Sequence, residues 1–249
     1  MTLPLEHPLF WLLAIVGVVL TGISKSGFAG GAGVVAVPLL ALVISVPQAT
    51  ALMLPLLLVM DVRTIQYYRQ HMSRSELKAI IPGAIVGITA GGLLMGSIAD
   101  AVLQAVLGVV SMVFASWQSI TPYFNRMRGA GLLWSSISGL TSTLIHAGGP
   151  PINIYLVGRQ LPKLTWLATA GVFFGVMNVI KIIPYAWLGQ WHRELLLVSL
   201  ALVPAAWLGI KLGHLIQHRI SEASFSRICR VLLLLSGLML LAKAFYAEA

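Results

Sequence analysis

The sequence predicts an all-α membrane protein of two inverted repeats, each a Gly-rich broken helix or re-entrant hairpin plus three transmembrane helices. Three observations predict it. Of the 249 residues, 58% are hydrophobic and only 9% are charged, whereas a soluble domain carries about 25% charged residues. The apolar residues run in about eight long stretches. Marker residues of the first half return in the second half in the same order.

The composition decides the solvent. With a mean hydropathy of +0.92, the chain has too few charges to coat a water-facing surface. Lipid must be its main surrounding, and backbone polar groups in lipid must be paired internally, by helices or by a closed barrel. The stretches are continuous rather than alternating, which excludes the barrel. The formal charge is +9. In a membrane protein such an excess is topological, because cytoplasmic loops collect Lys and Arg. No basic stretch interleaved with aromatics suggests a nucleic-acid partner. Cys229 is the single cysteine, so no intrachain disulfide or thiolate metal cluster is expected. The first residues carry Glu6 and His7 but no Lys or Arg. No cleavable signal is expected there, and the chain from residue 8 reads as mature protein.

The apolar segments fall at roughly 8–46, 49–66, 79–97, 101–120, 131–158, 165–188, 195–213 and 227–246. A straight helix crosses the bilayer with about 20 residues. The first segment is too long for one span and is interrupted by Gly22–Gly33; the fifth is interrupted by His146–Pro151. Gly and Pro are the costliest residues in a helix interior, so both are expected breaks. The breaks match one another: Ala29-Gly30-Gly31 aligns with Ala147-Gly148-Gly149. Pro82, Gly87 and Gly91 share their spacing with Pro204, Gly209 and Gly213, and Val59-Met60-Asp61-Val62 resembles Val176-Met177-Asn178-Val179. The offsets are 118, 122 and 117 residues. This argues for repeats over about 1–123 and 124–249 within one integral membrane domain.

Positive charge then chooses a topology. If all eight segments span, eight Lys/Arg lie inside and six outside, leaving aside Lys25 and Lys181. If segments one and five are hairpins that return to the face they left, twelve lie inside and two, Arg193 and Lys243, outside. The positive-inside rule favours the hairpins. Three spans per half then invert the second half, a recurring secondary-transporter design. Kinked full spans are the alternative.

Each hairpin tip would place a half-helix end near the membrane centre, where unpaired backbone N–H groups and the helix dipole favour an anion. Gly30, Gly31, Gly148 and Gly149 would let a ligand approach closely. Small residues also serve helix packing in membranes, and segments three and seven suit a homodimer or internal packing equally. Ser24, Ser26, Thr141 and Ser142 could add hydroxyl donors. Lys25 lies deep in segment one, and a membrane-embedded charge usually lines a pathway, although a lysine also snorkels. Lys181 is similar and stands nearer a boundary at Pro184. Asn153 and Asn178 could donate amide hydrogens to an oxyanion or bridge helices. Asp61, deep in an apolar run, could carry a coupling proton or pair with Lys25 or Arg63. His146, at the second tip, could bind substrate, relay a proton or simply pack. No metal-ligand spacing, catalytic triad, P-loop or dinucleotide fingerprint is present, so neither catalysis, a cofactor nor ATP drive is expected.

At these residues the chain resembles the TauE/SafE sulfite exporter family of bacterial membrane permeases. The resemblance rests on Gly22–Gly33 running into Val34-Val-Ala-Val-Pro-Leu-Leu40, and on the second copy at Ala147-Gly-Gly-Pro-Pro-Ile152. The eight-segment layout extends it over nearly the whole chain. It implies a multi-pass protein of the bacterial inner membrane that carries sulfite, an organosulfonate or a related small anion, with export the expected direction. The second copy departs from a plain Gly-rich turn at His146, Pro150 and Pro151. The rival readings are an anion channel without alternating access and a membrane component that hands sulfur compounds to an enzyme.

Overall fold

The computed structural model describes residues 3–27, 35–116, 131–216 and 222–247. The regular structure of the described residues is all helix, with no strand. The order is α1 (Pro8–Gly27), α2 (Ala36–Ala41), α3 (Val46–Tyr68), a 3-10 turn (Arg69–His71), α4 (Arg74–Met95), α5 (Asp100–Ala115), α6 (Gly131–Ile145), α7 (Gly149–Gly158), α8 (Lys163–Trp187), α9 (Arg193–Ile216) and α10 (Glu222–Ala247). Among the described residues six helices are long and apolar enough to cross a membrane, namely α1, α3, α4, α8, α9 and α10. The shorter apolar helix is α5.

Local chemistry fixes the ends. Ser45 accepts a hydrogen bond from the Gln48 N–H while the Gln48 side chain accepts from the Ser45 N–H, a capping box that satisfies two orphan donors. Ser73 caps α4 by accepting from the Glu76 N–H. That polar first turn starts α4 ahead of its apolar stretch.

Two expected breaks resolve differently. In the fifth segment α6 stops at Ile145 and α7 starts at Gly149, with His146 in the left-handed region at φ 54°. A Cβ on Gly131, at the start of α6, would meet the Tyr155 ring of α7 at 3.0 Å. The chain has therefore turned back on itself. In the first segment the helix does not break at Gly22. It continues to Gly27, because the backbone of α9 lies directly against Gly22: a Cβ there would stand 2.9 Å from the Ile210 nitrogen. Residues 28–34, including Gly30 and Gly31, lie outside the described residues. Beyond them the chain has returned, since a Cβ on Gly17 would meet Cα of Ala36 at 2.9 Å. The first arm is thus longer than a half-helix.

Glycines set the tightest contacts. A Cβ on Gly87 of α4 would stand 2.0 Å from the Ser136 carbonyl oxygen of α6, and one on Gly139 of α6 would stand 2.4 Å from the Ala84 oxygen. In the same way a Cβ on Gly209 of α9 would meet the Val19 oxygen of α1 at 2.5 Å. So α4 lies backbone to backbone on α6, and α9 on α1. The small-residue faces of α4 and α9 are used inside the chain. Between these pairs lie α3 and α8, which pack on each other. Asp61 meets Asn178 and Ser73 meets Thr169, so α3 and α8 run antiparallel. The helices α5 and α10 form a further contacting pair.

Candidate functional site

The site is assembled where α1 and α6 end beside the crossing of α3 and α8. The last four carbonyls of a helix lack intrahelical donors. One tyrosine answers this at each end: Tyr68 Oη donates to the Ser26 carbonyl at 2.8 Å, and Tyr185 Oη donates to the Thr143 carbonyl at 2.8 Å. Each bond spans 42 residues. The two tyrosines are separated by the 117 residues that also separate Asp61 from Asn178.

Lys25 stands in the last turn of α1 and pairs with Asp61 Oδ1; both are buried, at 7% and 3% exposure. Asn178 Nδ2 donates to Asp61 Oδ2 at 2.6 Å. Asp61 therefore uses both oxygens, one on each half of the chain.

Lys181 is fully buried, at 0% exposure. It is one helical turn from Asn178, and its ammonium donates to Ser142 O at 3.2 Å and Ser142 Oγ at 3.0 Å. It also approaches His146 Nδ1 at 3.2 Å. All three partners are neutral when the imidazole is. The α6 carboxyl end favours a cation there, but no carboxylate touches Lys181 among the described residues. Two buried lysines thus stand in a cluster with one aspartate, which pairs with Lys25, so a proton on Lys181 would leave one uncompensated positive charge. Leaving such a charge bare in a low-dielectric interior is expensive.

His146 joins the two halves. Its Nε2 lies 3.0 Å from the Thr50 carbonyl of α3, and its Nδ1 lies 2.8 Å from the Ser142 carbonyl. Both carbonyls can only accept, so a neutral ring donates to one of them, and Nδ1 accepts from Lys181 only in the tautomer with its hydrogen on Nε2. Pro55 extends the grip. Lacking an N–H, it leaves the Ala51 carbonyl without a helical donor, and Trp191 Nε1 donates to that carbonyl at 2.9 Å. Ser199 Oγ donates to the next one, Leu52 O, at 2.9 Å.

The remaining expected residues divide clearly. Ser24 Oγ is buried without a hydrogen-bond partner, beside Lys25 in sequence. The Ser26 hydroxyl donates to the Gly22 and Ile210 carbonyls, tying α1 to α9. The Thr141 hydroxyl donates to the Ala147 carbonyl within the turn. Gly148 admits the close approach of Ser138 and Ser142 and accepts from the Ser138 hydroxyl at 2.6 Å. Gly149 opens α7, where Pro150 and Pro151 supply no N–H. The backbone donors of that helix start are correspondingly few, and cationic side chains dominate the site. Asn153 lies on α7 with a buried, unpartnered Oδ1, and no hydrogen bond joins it to the lysines. The sequence reading missed Thr50, Pro55, Tyr68, Tyr185 and Trp191. A proline inside an apolar span was the one signal on offer, since it always frees a carbonyl.

A family model described as Sulfite exporter TauE/SafE matches residues 13–240. The chain belongs to the TauE/SafE sulfite exporter family. This is a family of membrane transporters rather than enzymes, and the chain is a multi-pass membrane protein. No curated protein and no solved structure matches it. In this TauE/SafE chain no group of three or more His, Cys, Asp or Glu residues could hold a metal among the described residues.

Proposed function

We propose that this TauE/SafE protein is a secondary transporter that exports sulfite, an organosulfonate or a related small sulfur-containing anion across the bacterial inner membrane. The observation that carries this reading is Lys181, a fully buried amine with no carboxylate partner among the described residues, whose charge a bound anion would stabilise. With Lys25 neutralised by Asp61, the cluster lacks one negative charge, and a small anion supplies it. Ser24, with its unpartnered hydroxyl, is the added donor. Sulfur oxyanions come from the family, and the charge at the site agrees with them.

Two inverted halves, about 1–123 and 124–249, support alternating access. The boundary lies outside the described residues. In favour stand the antiparallel α3 and α8, the paired tyrosine caps and the exchanged glycine contacts of α4 on α6 and α9 on α1. The loops at 69–73 and 159–162 then share the inner face with most of the Lys and Arg. Each net negative charge leaving a negative interior releases about 2.3 kcal/mol per 100 mV, enough to drive export. A homodimer would need a surface other than the small-residue faces of α4 and α9.

Counterflow tests the carrier reading. In liposomes of the purified protein, unlabelled sulfite inside should accelerate entry of labelled sulfite. Flux without this trans-stimulation would indicate a channel, and absence of any flux would remove transport by this chain alone.

A further inference from the structure

Asp61 holds Lys25 from one oxygen and receives Asn178 on the other. An anion that contacts Lys25 as well as Lys181 would take the place this aspartate occupies on Lys25. An anion that uses both lysines must therefore displace the carboxylate from Lys25. Displaced and still ionised, Asp61 would be a bare buried charge facing an incoming charge of the same sign. A proton on the displaced carboxyl removes that charge and the repulsion between the two.

We propose that Lys25, Asp61 and Asn178 form a proton-coupling switch: the anion replaces Asp61 on Lys25, Asp61 takes up one proton, and proton and anion cross together. This rests on the anion site described above and deepens it. The proton comes from the solution on the side the site faces, or from a protonated substrate, and binds the Asp61 oxygen that Lys25 vacates. It leaves to solution on the opposite side, after the anion, and the ion pair re-forms. Asn178 suits both states, because an amide donates to a carboxylate and, turned over, accepts from a carboxylic acid.

The surroundings leave Asp61 as the group that changes. Lys25 faces it from α1, and Lys181 stands one turn beyond Asn178 on α8. The end of α6 brings His146, held between the Thr50 and Ser142 carbonyls. From α9 come His214, stacked on Tyr67, and Trp207 under Arg63. Asp100 of α5 lies at the far end of α3, accepting from the Val46 N–H. A dianion that moves with this proton still carries one net negative charge outward, so the membrane potential continues to drive it.

Infrared difference spectroscopy tests the switch. The chain has only two aspartates, Asp61 and Asp100, so carbon-13 aspartate labels just these. Sulfite is added to purified protein in lipid at mildly alkaline pH, with binding followed in parallel by equilibrium dialysis. The expected result is a new protonated-carboxyl band, about one proton per bound anion, that shifts with the label. It should persist in Asp100→Asn and vanish in Asp61→Asn. If Asp61→Asn does not fold, the label and Asp100→Asn still assign the band. Saturable sulfite binding with no aspartate band overturns the switch and leaves the anion site standing. No sulfite binding by folded protein overturns both.

Discussion

At the scale of single residues, burial and charge decide what each group can do. Lys181 is in the interior with no ionic partner among the described residues, so its resting state is one the fold tolerates rather than one that stabilises it. Replacing a poorly compensated buried charge with an apolar side chain of similar volume is often neutral or stabilising, by about 1–4 kcal/mol. We therefore predict that Lys181→Met unfolds at the wild-type temperature or above while losing at least about tenfold in sulfite flux, an energy near 1.4 kcal/mol. Thermal unfolding and flux on the same preparation check both signs. Lys25 should behave oppositely. Lys25→Met leaves Asp61 buried without its cation, at a cost of about 3–5 kcal/mol. Adding Asp61→Asn should recover most of that loss, as a double-mutant cycle on thermal stability will show. The deep placement of Lys25, Lys181 and Asp61 was legible from sequence, because charges are conspicuous in apolar runs. Which lysine owned the aspartate was not, since that depends on which helices cross.

At the scale of elements, the fold is built from helix ends and close faces. Tyr68 and Tyr185 cap equivalent carbonyls, so Tyr68→Phe and Tyr185→Phe should each cost about 0.5–1.5 kcal/mol and by similar amounts, measured as shifts in unfolding midpoint. Gly87→Val presses a side chain into the Ser136 carbonyl and should cost about 1–3 kcal/mol or more. Gly189, at φ 60° with nothing within 4 Å of a would-be Cβ, bears only the backbone penalty of about 1–2 kcal/mol on substitution by Ala. The matched Pro82, Gly87, Gly91 and Pro204, Gly209, Gly213 were readable as a repeated pattern. Their partners were not, because spacing along one helix does not say which backbone comes to meet it. Gly22 shows the limit of propensity: its glycine run looked like a break, yet contact with α9 keeps it helical as far as Gly27. At the other end of the molecule Glu76 accepts from Tyr155 at 2.6 Å and from Arg159 at 2.8 Å, pinning the return arm α7 to α4. No sequence pattern pointed to that clamp, since Glu76 lies on α4 while Tyr155 and Arg159 lie one turn apart on α7 and its C-cap.

At the scale of the whole molecule, the two hairpins and the antiparallel crossing of α3 and α8 make a topology that labelling can read. Cys229 is the single cysteine and is buried, so a Cys229→Ala background suits cysteine labelling. Ser73→Cys and Gln160→Cys should react from one face of the membrane, and Ser97→Cys and Gly189→Cys from the other. Reaction of Gln160→Cys on the side of Ser97→Cys, with Gly189→Cys on the side of Ser73→Cys, would mean that segment five spans, because α8 separates residues 160 and 189 in either case. The all-helical membrane fold was legible in the hydropathy; the eight segments and the hairpin topology are the reading that this labelling tests. The length of the first arm was not legible, because it depends on packing against α9. The most direct test of the anion site is sulfite flux, with sulfate, thiosulfate and a sulfonate as competitors, in liposomes of wild-type protein and Lys181→Met. The site described here predicts saturable wild-type flux that sulfur oxyanions compete for, and its loss in a folded Lys181→Met. Normal flux in that variant would contradict an anion held by the unpaired lysine.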